Sequence, residues 1–113
     1  MKATERTVRH EITRGTAYEA LGYSRAEATV RAMRVLIAVE ISSYVKRKRM
    51  TQIVAAGFFG VSQPRISNVL NGKLQGFTID LLLKMASKTD RVPSLSFRRA
   101  KGEKASAAER RAA

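Results

Sequence analysis

The chain has no cysteine and a single histidine, and these two shortages remove whole classes of chemistry. Without cysteine there is no disulfide framework, no thiolate nucleophile and no thiolate metal site, a composition compatible with a reducing compartment. His10 has Glu11 beside it but no second ligand at metal spacing, so it reads as a surface residue and no metal site is expected. Long apolar runs are missing too: the longest, Val35 to Val39, falls far short of the roughly 20 residues that a membrane span needs. The N-terminus is charged and lacks the apolar core of a secretion signal. Neither a glycine-rich phosphate loop nor a nucleophile paired with a base occurs, so no cofactor and no enzymatic activity is expected. These absences predict a soluble, cytoplasmic binding protein.

Acidic residues are also scarce. Nine Asp and Glu stand against 22 Lys and Arg, giving a net charge of +13 and a pI near 11.1. Such an excess suits a polyanionic partner, either nucleic acid or an anionic membrane surface, and charge alone does not choose between them. Its distribution is uneven. Residues 1–50 hold 11 basic and 5 acidic side chains, residues 51–90 hold 4 and 2, and residues 91–113 hold 7 and 2. Basic flanks around a nearly neutral centre fit phosphate neutralisation, and they equally fit a solubilising charge excess. No helix pattern joins a basic face to a bulky aromatic one, which argues against a membrane-surface role.

At 113 residues the chain is long enough for one domain, and the stretch from about Ser24 to Lys88 suffices for a small helical core, helped by dimerisation. The expected organisation is a polar N-terminal arm at 1–23, a helical domain at 24–90 and a basic tail at 91–113. The arm carries a short apolar patch at Tyr18, Ala20, Leu21 and Tyr23, broken by Gly22. Ser24-Arg25-Ala26-Glu27 is a capping box, and a long helix is predicted from there to about Arg47. Its stripe of Val30, Met33, Ile37, Ile41, Tyr44 and Val45 has helical spacing and predicts a core face. A second stripe through Ala28, Ala32, Val35 and Val39 leaves apolar surface to spare, for burial or for another protein. Lys46 to Arg49 then place four cations at the helix end, where they suit either the helix dipole or phosphates.

The densest information lies between Thr51 and Gly72. Thr51 can cap a helix that Gly60 ends in a left-handed turn; Val61 plugs the turn, Ser62 caps a second helix, and Pro64 occupies its first turn, where no N–H is missed. Ala56 and Phe59 on the first helix, and Ile66 and Val69 on the second, give each a face for a shared core. Ala56 is small enough for the close approach that a tight inter-helix turn imposes. Gln63, Arg65, Ser67 and Asn68 remain outward, hydrogen-bonding side chains at the helix end that helix-turn-helix proteins present to base edges. One residue conflicts: Gly57 costs roughly 1 kcal/mol against alanine inside a helix.

After a loop at Lys73 to Gly76, Phe77 and Thr78 supply a staple and an N-cap for a last helix, Ile79 to about Lys88. Ile79, Leu82, Leu83 and Ala86 are expected to close the core, with Leu81 and Met85 to one side on a dimer face. Leu95 and Phe97 alternate after Pro93, which suits either a short strand paired with another chain or an irregular tail. Residues 99–113 have nothing to bury and are expected to be disordered when free.

From Gly15 to about Ser96 the sequence resembles Xre-type, lambda-repressor-like helix-turn-helix proteins, and within them the HigA-type antitoxins. The resemblance is carried by Ala20-Leu21-Gly22-Tyr23, Met50-Thr51-Gln52, Ala55-Ala56, Gly60-Val61-Ser62-Gln63-Pro64-Arg65-Ile66-Ser67, Leu70-Asn71-Gly72-Lys73 and Gly76-Phe77-Thr78. It implies an all-α, four- to five-helix lambda-repressor-like domain, in bacteria or phage, that dimerises on palindromic double-stranded DNA. In this reading Gln63, Pro64, Arg65, Ser67 and Asn68 meet the bases. Thr51, Gln52, Ser62, Asn71, Lys73, Lys48 and Arg49 hold phosphates. The antitoxin branch further implies autorepression and capture of a small ribonuclease toxin. A stand-alone phage-type repressor, and a protein inhibitor whose DNA binding is secondary, are the alternatives. The chain departs from the family in its long basic tail and in Asp90-Arg91-Val92-Pro93, which bear on the dimer and toxin surfaces.

Overall fold

The computed structural model describes residues 17–99. His10 and residues 100–113 of the tail lie outside that range.

Four helices begin on a hydroxyl. Ser24 Oγ accepts from the Glu27 amide (3.1 Å) at the start of α1, Arg25–Arg47. Thr51 Oγ1 accepts from Val54 N (3.2 Å) ahead of α2, Gln52–Phe59. Ser62 Oγ accepts from Arg65 N (3.3 Å) ahead of α3, Gln63–Leu70. Thr78 Oγ1 accepts from Leu81 N (3.1 Å) ahead of α4, Ile79–Ala86. In every case a short side chain satisfies one of the amides that a helix start leaves without a partner. Residues 17–20 are also helical, and Tyr18 meets Tyr23 edge-on across the Gly22 turn with ring centroids 6.1 Å apart.

The core lies where the C-terminal half of α1 crosses the three short helices. Ile41, Ile66 and Leu82 are fully buried, one each from α1, α3 and α4, and Val69, Met85, Phe59 and Ala55 close around them. Each such side chain contributes about 1.5–3 kcal/mol by leaving water. Tyr44 stacks on Phe58 (5.5 Å) and meets Phe59 edge-on (6.3 Å), while Phe58 and Phe59 contact each other edge-on at 4.9 Å. This three-ring cluster bolts the end of α1 to α2.

The core departs from the sequence expectation in two helices. In α1 the stripe holds only for Ile41, Tyr44 and Val45, with Ile37 packed partly against the cluster; Val30 is exposed. Further toward the N-terminus the deeply buried residues are Ala28 and Ala32, members of the second stripe, and they lie outside the main core cluster. In α4 Met85 points inward at 2% exposure, whereas Leu83 is 37% exposed. With Asp80 and Lys84 the only polar residues in α4, its apolar arc is too wide to select a face, and packing against α1 selects it. Met85 therefore belongs to the core and is withdrawn from the expected side face.

Of the two alternatives for Leu95 and Phe97, the single chain takes the irregular one. No strand occurs among the described residues, and Val92, Leu95 and Phe97 are 91%, 77% and 90% exposed. A single chain offers this segment no sheet edge to pair with. The root of the tail is nevertheless held: Arg47 Nη1 and Nη2 donate to the two Asp90 carboxylate oxygens at 3.1 Å each, and Arg91 Nε lies 3.4 Å from Glu40 Oε1.

Candidate nucleic-acid interface

Two short helices joined by a tight turn form the candidate site. The turn works because Gly60 adopts φ 71°, a left-handed conformation that lets Val61 N reach back to Ala56 O at 3.0 Å. Val61 is then half-buried against the core. Ala55 and Ala56 are both buried, and their small size allows α2 to pack closely on α3.

Ile66 and Val69 fasten α3 to the core at 0% and 2% exposure, and this fixes what the rest of the helix presents. At about 100° per residue, Pro64, Ser67, Asn68 and Asn71 fall on the side opposite those anchors. Gln63 stands exposed in the first turn, and Ser67 is half-buried. Asn71 Nδ2 donates to Ser67 Oγ at 3.3 Å, so two polar side chains one turn apart hold each other in place. The face carries no acidic residue, and amides and hydroxyls can pair with base-edge donors and acceptors in a major groove.

Arg65 is placed differently from the other expected base contacts. It lies on the flank of α3 beside Val69, with its guanidinium carbon 4.5 Å from the centroid of the Phe77 ring. Phe77 itself is buried. Sequence spacing gave no sign of this contact, because the two residues are brought together by the loop leading to α4.

The expected phosphate contacts ring this face on several elements. Thr51 and Gln52 start α2, Ser62 starts α3, and Asn71 and Lys73 follow its end; all five are exposed. Thr51 and Ser62 already use their oxygens as helix caps. Among the cations at the end of α1, Lys48 Nζ lies 5.8 Å from the Tyr44 ring centroid and Arg47 Cζ 5.5 Å from it. Arg47 is committed to Asp90. That hydrogen-bonded pair raises the Arg47 pKa and holds the Asp90 carboxyl below its ordinary value.

A DNA-binding helix-turn-helix is the class of protein that this arrangement defines. Over residues 17–92 the sequence matches the helix-turn-helix domain family, and the chain belongs to that family. In structure it is similar to a protein assigned to the XRE family of transcriptional regulators, with a TM-score of 0.61 and 27% sequence identity, covering 72% of this chain and 91% of the other. No curated protein sequence matches the chain. Among the described residues no helix is long and apolar enough to cross a membrane.

Proposed function

We propose that the protein is a dimeric, sequence-specific repressor of the Xre type that inserts α3 into the major groove of a palindromic operator. The observation that carries this reading is the outward face of α3: polar, free of acidic residues, and held in register by Ile66 and Val69. Gln63, Pro64, Ser67 and Asn68 form the centre of the base-reading set, and Arg65 joins it by leaving Phe77 for the groove edge. Thr51, Gln52, Ser62, Asn71, Lys73, Lys48 and Arg49 hold the backbone on either side. A dimer follows because one helix of eight residues reads too few base pairs; two-fold symmetry doubles the site at a spacing of roughly 34 Å.

Within that role, the chain acts as a HigA-like antitoxin that represses its own operon and masks a ribonuclease-type toxin. Exposed apolar side chains outside α3 support a protein partner: Leu21, Ile53, Val54, Leu95 and Phe97 are each more than half exposed.

The test is a gel-shift titration against the protein's own promoter and a random duplex of equal length, at two salt concentrations. Promoter preference that survives the higher salt is expected. Equal, salt-sensitive binding to both duplexes rejects sequence-specific repression. Co-expression with the product of an adjacent small basic gene separates the antitoxin from the stand-alone repressor, since only an antitoxin restores growth.

A further inference from the structure

Four helical segments end in one hydrogen-bond pattern, in which an amide reaches back five residues to a carbonyl. The pairs are Tyr23 N to Tyr18 O, Met50 N to Val45 O, Val61 N to Ala56 O and Lys73 N to Asn68 O, at 2.8–3.2 Å. The residue before each of these amides must be left-handed. In three of the four it is glycine, at positions 22, 60 and 72; at the end of α1 it is Arg49, with φ 52°.

Arg49 is the only non-glycine residue with positive φ among the described residues. A Cβ in this conformation crowds the following carbonyl oxygen, and an arginine has no short polar group with which to compensate locally. Strain of this kind persists where the side chain has a task that glycine cannot perform. That task is not internal. The Arg49 amide donates to Lys46 O at 3.1 Å, but its side chain is exposed and makes no hydrogen bond, ion pair or ring contact with any described residue, whereas its neighbour Arg47 is paired with Asp90 and Lys48 lies over Tyr44.

We infer that Arg49 is a DNA-backbone clamp: α1 gives up stability at its C-terminal turn to hold one uncommitted guanidinium on a rigid left-handed residue two positions before Thr51. The inference rests on the DNA-binding reading and adds to it. It identifies which cation of the Lys46 to Arg49 run contributes most to phosphate binding, and the stability cost of having it there. A left-handed turn between two capped helices fixes the direction of the Arg49 Cα–Cβ bond, so less conformational freedom is lost when a phosphate is engaged.

The experiment compares full-length parent, Arg49→Gly and Arg49→Lys by thermal unfolding, and by gel shift on the promoter and on the random duplex. Arg49→Gly is expected to unfold roughly 4–8 °C higher, the shift produced when a small domain is relieved of this kind of strain. It binds both duplexes more weakly, on the order of 15-fold at about 50 mM salt and fourfold at about 200 mM, as loss of one phosphate contact requires. Arg49→Lys keeps the strain and the charge, so its midpoint stays with the parent and it retains most of the binding. An Arg49→Gly protein that binds DNA like the parent overturns the clamp. One that is no more stable than the parent shows that no strain was stored there, and overturns it too. Absence of promoter preference in the parent defeats the repressor reading alone, since the Arg49 comparison can still be read on the random duplex.

Discussion

Arg65 of the recognition helix rests its guanidinium on the buried ring of Phe77, 4.5 Å from the ring centroid, and thereby ties the reading head to the loop before α4. A cation over an aromatic face at an exposed site contributes about 0.5–1 kcal/mol. Arg65 is thus held in an ordered position beside the outward polar face of α3, and in the proposed complex entry into the groove means giving up that contact.

The contact is measurable by a double-mutant cycle. Arg65→Ala, Phe77→Leu and the pair, followed by denaturant unfolding, are expected to show a coupling of about 0.5–1 kcal/mol. Strict additivity would mean that the ring does not hold the cation in solution.

Base and phosphate contacts separate on two duplexes. Asn68→Ala is expected to reduce the promoter-to-random affinity ratio by about 1–3 kcal/mol, as loss of a direct base contact does. Lys48→Ala is expected to weaken both duplexes alike and lower the salt slope by about one. Equal losses on both duplexes for Asn68→Ala remove it from the base-reading set.

Anchoring of the recognition helix predicts a large core effect. Ile66 is fully buried, and Ile66→Ala should destabilise the fold by about 2–5 kcal/mol, a large part of the total for a small domain. Denaturant titration checks it; a loss below about 1 kcal/mol means that α3 is not held by this side chain.

Two glycines in one helix-turn unit should respond with opposite sign. Gly57 lies inside α2, where an added Cβ meets nothing within 4 Å, so Gly57→Ala is expected to stabilise by about 0.5–1 kcal/mol. Gly60 has φ 71°, and Gly60→Ala is expected to destabilise by about 1–2 kcal/mol. Thermal unfolding of both variants decides it; a shift in the same direction contradicts the assigned backbone roles.

The Arg47–Asp90 pair sets a pH dependence. Asp90 is held below its ordinary pKa, chiefly by the hydrogen bonds from Arg47, so the folded state binds this proton less readily than the unfolded chain. The pair's contribution is therefore complete above the ordinary carboxylate range, near about pH 4, and is lost as pH falls through the lowered value. Asp90→Asn should flatten the acid limb of the stability profile. Because both side chains are solvent-exposed, the difference should shrink at high salt. Superimposable acid limbs for parent and variant at low salt would show that the pair does not couple to folding.

What the sequence by itself determined about this protein is its local grammar. Ser24, Thr51, Ser62 and Thr78 cap the four helices because a hydroxyl three residues from an amide is a short-range decision, and Gly60 breaks α2 from α3 for the same local reason. The outward polar set on α3 was legible as well, since Ile66 and Val69 leave it one face to bury. Only the tertiary structure decided which arc of α4 turns inward, because an almost wholly apolar helix presents several equivalent stripes and its neighbour α1 chooses among them. It also decided that the core occupies one half of α1, that Leu95 and Phe97 stay unpaired in a single chain, and that Arg65 lies over Phe77. Each of these depends on residues distant in sequence meeting in space, and periodicity along one helix does not carry that information. The left-handed backbone of Arg49 belongs with them: the sequence shows only a run of cations, and the closure of α1 onto α2 forces one of them into the conformation that glycine takes elsewhere in the fold.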